Sequence, residues 1–95
     1  MMIENVRSEI AVIDRQIVDL VAKRTQLASE ILKAKRAAGV KHINDEKQNR
    51  NVLNRVVDMA TERNIDAGSV KKIFEILITM NQDIQHELSG EGNLP

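Results

Sequence analysis

An apolar seam with heptad spacing runs through the first 38 residues of the chain, and it contains one arginine. From Ile3 the seam positions follow in alternating steps of three and four, and ten of the eleven are apolar. They are Ile3, Val6, Ile10, Ile13, Ile17, Leu20, Arg24, Leu27, Ile31, Ala34 and Ala38. This spacing predicts one long α-helix that pairs with another helix. Arg24 is the exception, because a guanidinium at a core position is costly unless an anion meets it there.

The predicted helix is too long for the rest of the chain to cover. Residues 4–38 would span about 52 Å, whereas a compact domain of 95 residues is about 30 Å across. The protruding part would expose an apolar stripe, which soluble monomers avoid. We therefore expect an obligate oligomer, most simply a two-fold homodimer.

Composition excludes several classes of function. The chain has 14 basic and 14 acidic residues, so its zero net charge argues against a nucleic-acid partner. It has no cysteine, and no cluster of His, Asp and Glu has metal-ligand spacing, so we expect neither a metal nor another cofactor. No long apolar run and no signal-peptide pattern are present, which predicts a soluble, cytoplasmic protein with no membrane contact.

The remaining sequence predicts two shorter helices and no strand, which gives an all-α fold of three helices in a single domain over residues 1–88. Gly39 is expected to end the first helix near Ala38 as a left-handed C-cap. Residues 39–44 form a predicted loop, and a disordered tail is predicted for residues 89–95.

The second helix is predicted to begin after Asp45 as N-cap, with Gln48 completing a capping box, and to run to about Arg63. Asp66 or Ser69 is expected to cap the third helix. Both helices carry an apolar face. The faces comprise Val52, Leu53, Val56, Val57 and Ala60 in the second helix, and Val70, Ile73, Phe74, Leu77, Ile84 and Leu88 in the third.

Two cations share one face of the first helix. Arg24 and Lys35 are eleven residues apart, which places them about 20° from full register, with Ala28 and Ile31 between them. Two cations that flank a small apolar gap suit a small dianion. The alternative is a pair of long side chains that extend to the surface and pair with glutamates.

Arg7 lies 17 residues before Arg24, about 100° around the helix and some 26 Å along it. It cannot reach the same pocket within one straight helix. In an antiparallel two-fold pair, the start of one helix approaches the middle of its mate, so Arg7 would complete the partner's site. Taken alone, Arg7 is a solvated surface charge.

Two carboxamides interrupt the apolar stripe of the third helix. Continuing from Phe74 and Ile78 at helical spacing gives Asn81 and then Gln85. Such amides are either bonded to each other in the core or form the walls of a pocket. Taken alone, the two amides slightly favour a structural role. The pocket interpretation gains beside Arg24 and Lys35, because neutral amide donors suit a carboxylate or an ether oxygen.

Taken together, these residues resemble the all-helical (AroQ-type) chorismate mutases over about residues 4–88. The resemblance is carried by motifs in a fixed order. They are Arg7 with Ile10-Ala11-Val12-Ile13-Asp14, Ile17 and Leu20, then Ala22-Lys23-Arg24 with Leu27-Ala28, Lys33-Ala34-Lys35, Ile43-Asn44-Asp45, and Phe74-Glu75-Ile76-Leu77-Ile78 with Gln85. The resemblance implies an intertwined dimer of three-helix chains, in which an arginine of each chain completes the other's site.

The implied reaction is the intramolecular Claisen rearrangement of chorismate to prephenate, a step in phenylalanine and tyrosine biosynthesis. By resemblance, Lys35 and Gln85 stabilise the charge that develops on the ether oxygen. Arg24 and the partner's Arg7 would hold the two carboxylates, and Asp45 would help to anchor the ring hydroxyl.

The chain departs from the family pattern in the second helix and at Asn81. Gln48-Asn49 stands where the family commonly has Arg-Glu, so a cation is lost and the group that meets the substrate hydroxyl is an amide. Asn81 stands where a small hydroxyl residue is common. These departures leave open an isochorismate pyruvate lyase on the same fold, and a non-catalytic dimeric module that binds a metabolite.

Overall fold

Three α-helices make up the part of the chain that is described by the computed structural model, which covers residues 2–40 and 45–89. They are α1 (Met2–Ala37), α2 (Glu46–Glu62) and α3 (Ala67–Ser89). No strand occurs in these two ranges. The predicted all-α fold of one very long and two shorter helices is therefore confirmed.

The first helix sets the shape of the chain. Its 36 residues correspond to about 54 Å of α-helix, and the longest dimension of the chain is 56 Å against 25 and 24 Å for the other two. The radius of gyration is 16.8 Å, well above the roughly 12 Å of a compact domain of this length. Every residue of α1 up to Leu20 is exposed in the single chain, so the helix extends beyond its own domain, as predicted.

Local chemistry fixes the end of α1. Gly39 has φ +75°, a left-handed conformation that favours glycine because it has no Cβ. The N–H groups of Gly39 and Val40 donate to the carbonyls of Arg36 and Lys35, at 3.2 and 2.8 Å. These two bonds form a Schellman motif. Residues 41–44, with the rest of the predicted loop, lie outside the described ranges.

Aspartates cap the other two helices. Asp45 accepts a 3.0 Å hydrogen bond from the backbone N–H of Gln48, as predicted. Asp66, rather than Ser69, caps α3, because both the backbone N–H and the hydroxyl of Ser69 donate to its Oδ2, at 2.8 and 2.6 Å. The hydroxyl bond, followed by the backbone bond, lowers the pKa of Asp66. Between the helices, Asn64 takes φ +56°, a value that asparagine tolerates.

The core is small and aliphatic, and α3 contacts both α1 and α2. The buried apolar residues are Ala28, Leu32, Val52, Val56, Ala60 and Ile78. The predicted apolar face of α2 is therefore confirmed, since Leu53 and Val57 are half-buried beside it.

Two of the predicted apolar positions of α3 are exposed instead. Ile73 and Leu88 are both more than half exposed in the single chain. Ile73 lies about 140° around the helix from the buried Ile78, so it faces away from both neighbouring helices. Helix α3 also includes Ser89, which the sequence assigned to the tail, a difference of one residue that is usual at helix ends. Residues 90–95 lie outside the described part of the chain.

Candidate functional site

A pocket of about 280 Å³ lies where the three helices meet. Helix α1 contributes a segment over residues 24–35 that has a cation at each end. Helix α2 contributes its first two turns, and α3 contributes one face that is rich in carboxamides. The lining residues are Arg24, Leu27, Ile31, Lys35, Asp45, Gln48, Asn49, Val52, Ile78, Asn81, Gln82 and Gln85.

Lys35 and Gln85 form a directly bonded pair in this pocket. Lys35 Nζ donates to Gln85 Oε1 at 3.3 Å, and Gln85 is only 4% exposed, the one buried polar residue among those described. Because its Oε1 accepts from Lys35, the amide nitrogen Nε2 is the group that Gln85 can offer as a donor. The pair therefore presents a cation and an oriented neutral donor to a ligand.

Arg24 is held against the middle of α3. Its Nη1 donates to the carbonyl oxygen of Leu77 at 3.2 Å, and its guanidinium carbon lies 5.9 Å from the centroid of the Phe74 ring, at cation–π distance. Burial, followed by repulsion from Arg55, lowers the pKa of Arg24. Arginine remains charged under both influences, so Arg24 presents a partly desolvated cation to the pocket.

The start of α2 forms the polar wall opposite α1. Asp45, Gln48 and Asn49 line the pocket in succession, and Val52 follows one turn later. The N-cap bond from Gln48 to Asp45 Oδ1 orients the carboxylate at the rim. A carboxylate and two carboxamides at this wall can accept from a hydroxyl or donate to an anion.

Asn81 carries an unsatisfied acceptor. Its Oδ1 is buried and has no hydrogen-bond partner within residues 2–40 and 45–89. Buried polar atoms in native proteins are nearly always bonded, and leaving one unpaired costs about 1–3 kcal/mol. Because Asn81 also lines the pocket, this oxygen can accept from water or from a ligand donor.

Seven of the eight residues that the sequence singled out lie at this pocket, and Arg7 does not. Arg7 is an exposed residue of the protruding part of α1, where its Nη1 lies 3.5 Å from Glu4. This position agrees with the expectation that Arg7 cannot reach the pocket of its own chain. The functional roles of all eight residues remain predictions.

The sequence did not identify every residue of the lining. Leu27, Ile31, Val52 and Ile78 carried only a packing signal, since apolar residues at helical spacing do not distinguish a core from a pocket wall. Gln82 lies off the stripe of Asn81 and Gln85, and no sequence pattern marked it.

Neither a metal-binding cluster nor a membrane-spanning helix occurs among the described residues. No group of His, Cys, Asp and Glu side chains in these ranges is arranged to hold a metal ion. No described helix combines the length and the apolar character that are needed to cross a membrane.

Comparison with known proteins identifies relatives of the chain. The profile of the family described as chorismate mutase type II matches residues 6–86. A chorismate mutase of Methanocaldococcus jannaschii is 33% identical over 86 residues, which cover 90% of this chain and 86% of the relative. The family match includes every residue from Arg7 to Gln85.

Proposed function

Because the chain belongs to the chorismate mutase type II family, we propose that it converts chorismate to prephenate. The observation that best supports this activity is the bond from the half-buried Lys35 to the buried Gln85, in a pocket that these two residues share with Arg24. The reaction breaks one C–O bond while a C–C bond forms, without a covalent intermediate or a proton transfer. The protein therefore has to position the substrate and to stabilise the transition state electrostatically, and this pocket offers both.

Lys35 and Gln85 act on the breaking bond. Negative charge grows on the ether oxygen as it departs, so a cation and a neutral donor aimed at it stabilise the transition state more than the ground state. The 3.3 Å bond between the two side chains fixes their geometry before substrate binds. A rate acceleration of about 10⁶-fold requires about 8 kcal/mol, which a few preorganised charged hydrogen bonds can supply.

Arg24 binds a substrate carboxylate and helps to fold the enolpyruvyl arm over the ring. Its guanidinium is already anchored to Leu77 and Phe74, so little side-chain freedom is lost when it binds an anion. Asp45, Gln48, Asn49 and Asn81 line the pocket. In this proposal Asp45 and Asn49 would meet the ring hydroxyl, and Gln48 and Asn81 would complete the polar lining.

The second substrate carboxylate requires a second chain. Apolar residues of the α1 seam, from Ile3 to Leu20, are about half exposed or more in the single chain, and such a stripe favours a partner helix. We propose an intertwined homodimer in which Arg7 of each chain completes the other's pocket. Both side chains of the ion pair between Arg7 and Glu4 are exposed, and such a pair contributes little to stability. Arg7 can therefore exchange Glu4 for the substrate. A cytoplasmic location and a role in phenylalanine and tyrosine biosynthesis are part of the same proposal.

Product analysis tests the proposal. We would incubate the purified protein with chorismate and with isochorismate and identify the products. Prephenate from chorismate is expected, abolished in Lys35→Ala and retained in Lys33→Ala. The control removes an exposed lysine of the same helix whose contact is with Glu30.

The departures from the family pattern leave two alternative functions, and each predicts a different result in this assay. Salicylate and pyruvate from isochorismate, with little prephenate, would assign the chain to lyase chemistry and give Gln48 and Asn49 a role in that choice. No product from either compound would leave a dimeric module that binds a metabolite without converting it.

A further inference from the structure

One face of α2 continues past the pocket to an arginine. Gln48, Val52 and Arg55 follow one another at i, i+4 and i+7, so all three lie within about 60° on the same side of the helix. The first two line the pocket. Arg55 therefore lies on the pocket side of α2, one turn beyond the lining.

The helix directions place Arg55 at a particular end of the pocket. The bonds from Lys35 to Gln85 and from Arg24 to Leu77 show that α1 and α3 run in the same direction. Helix α2 follows α1 after a short connection, and its N-cap Asp45 lines the same pocket as Lys35, so we infer that α2 runs the opposite way. Its later turns therefore lie towards Arg24, and the repulsion that Arg55 exerts on Arg24 agrees with this placement.

Among the residues that the structure describes, Arg55 has no counterion. It is exposed, and it forms no ion pair or hydrogen bond with any residue in the described ranges, although Asp58 lies one turn further on. Two neighbouring guanidinium groups without an acid between them repel each other. Bringing an anion to this end of the pocket relieves the repulsion.

We propose that Arg55 is a positioning residue that attracts the dianionic substrate to the Arg24 end of the pocket without touching the reacting atoms. This inference rests on the proposed function. The effect of an exposed charge acts through water, so it raises the rate of substrate capture and is sensitive to salt. Removing it should leave the chemical step unchanged.

The test compares four proteins: the wild type, Arg55→Gln, Arg55→Lys and the control Arg50→Gln. Arg50 is an exposed arginine of α2 about 140° around the helix from Arg55, so both Gln variants lose the same charge. At about 0.01 M ionic strength, where the Debye length is about 30 Å, we expect kcat/KM of Arg55→Gln to fall about threefold with kcat unchanged. Arg55→Lys and Arg50→Gln should stay close to the wild type.

Salt separates this role from a structural one. At about 1 M ionic strength, where screening acts over about 3 Å, the difference between Arg55→Gln and the wild type should vanish. A deficit that persists in high salt, a fall in kcat, or an equal effect of Arg50→Gln would overturn the inference.

Failure of the proposed function would be distinguishable. If chorismate is not converted, its dissociation constant can be measured by calorimetry with the same four proteins at both ionic strengths. Binding that is about threefold weaker for Arg55→Gln in low salt alone would support the role of Arg55 in a pocket that binds without catalysis. Equal affinities, or no binding of chorismate by the wild type, would refute it.

Discussion

Replacing Arg24 by leucine should separate stability from activity. In the folded chain the change removes the bond to the Leu77 carbonyl and the contact with the Phe74 ring, which together are worth about 1.5–2.5 kcal/mol. The Leu77 carbonyl keeps its partner within the helix, so no buried acceptor is orphaned. Against this loss, leucine needs no desolvation of a charge and relieves the repulsion from Arg55. We expect the unfolding free energy to stay within about 1 kcal/mol of the wild type.

Activity should behave differently. Without Arg24 a substrate carboxylate enters the pocket unpaired, which costs about 2–5 kcal/mol. A central value near 3 kcal/mol corresponds to a fall of about 100-fold in kcat/KM. The assays are urea unfolding followed by circular dichroism, and the loss of chorismate absorbance.

The matched control is Lys23→Leu, which removes an exposed cation of the same helix and should retain activity. An Arg24→Leu protein that keeps kcat/KM within about threefold of the wild type would refute the role of Arg24. One that unfolds more easily by over about 2 kcal/mol would instead make it a structural residue.

Three further predictions follow from the same geometry. Mixed dimers of Arg7→Ala and Lys35→Ala chains should recover one working site in two. The measurement is the activity of purified heterodimers, which neither parent protein shows, and inactive heterodimers would contradict the shared site. Asp45→Ala should lose about 1 kcal/mol of stability with its N-cap bond, whereas Asp45→Asn should keep the cap, and urea unfolding compares them. The pKa of Asp66 is lower in the folded chain than its unfolded value of 3.8. The ionised carboxylate therefore stabilises the fold at a pH above 3.8, and this contribution disappears as the pH falls through the lower folded pKa. Asp66→Asn should therefore lack this acid-dependent loss of melting temperature. Identical profiles of melting temperature against pH for the wild type and Asp66→Asn would argue against this role of Asp66.

Local chemistry explains why the sequence predicted the helix ends so closely. The left-handed turn at Gly39 and the caps at Asp45 and Asp66 each depend on a few adjacent residues. The long α1 was predictable for a different reason, because its seam repeats over many turns and a repeated pattern is difficult to mistake. Both kinds of feature are present in the chain before any tertiary contact forms.

From the residues alone, the pocket was predictable where polar residues interrupt an apolar stripe and where Lys35 shares a helix face with Arg24, while Asp45, Gln48 and Asn49 were predicted by the family resemblance. Arg24, Asn81 and Gln85 stood out as such interruptions, while Gln82 and Val52 did not, because their place in the lining depends on how the helices pack. The exposure of Ile73 has the same origin, since the sequence shows a helix face but not which neighbour covers it.

Charge balance connects the pocket to the second chain. Among residues 2–40 and 45–89, the lining carries two cations, Arg24 and Lys35, and one carboxylate, Asp45; the other polar groups of this lining are neutral carboxamides. A dianion such as chorismate would leave this site with one excess negative charge, and buried charges are costly unless they are paired. In the proposed homodimer, Arg7 of the partner chain would supply the missing positive charge, so that three cations would meet three anions. Gln48 and Asn49 can donate or accept without disturbing that balance, which is a physical reason for a neutral pair at this wall.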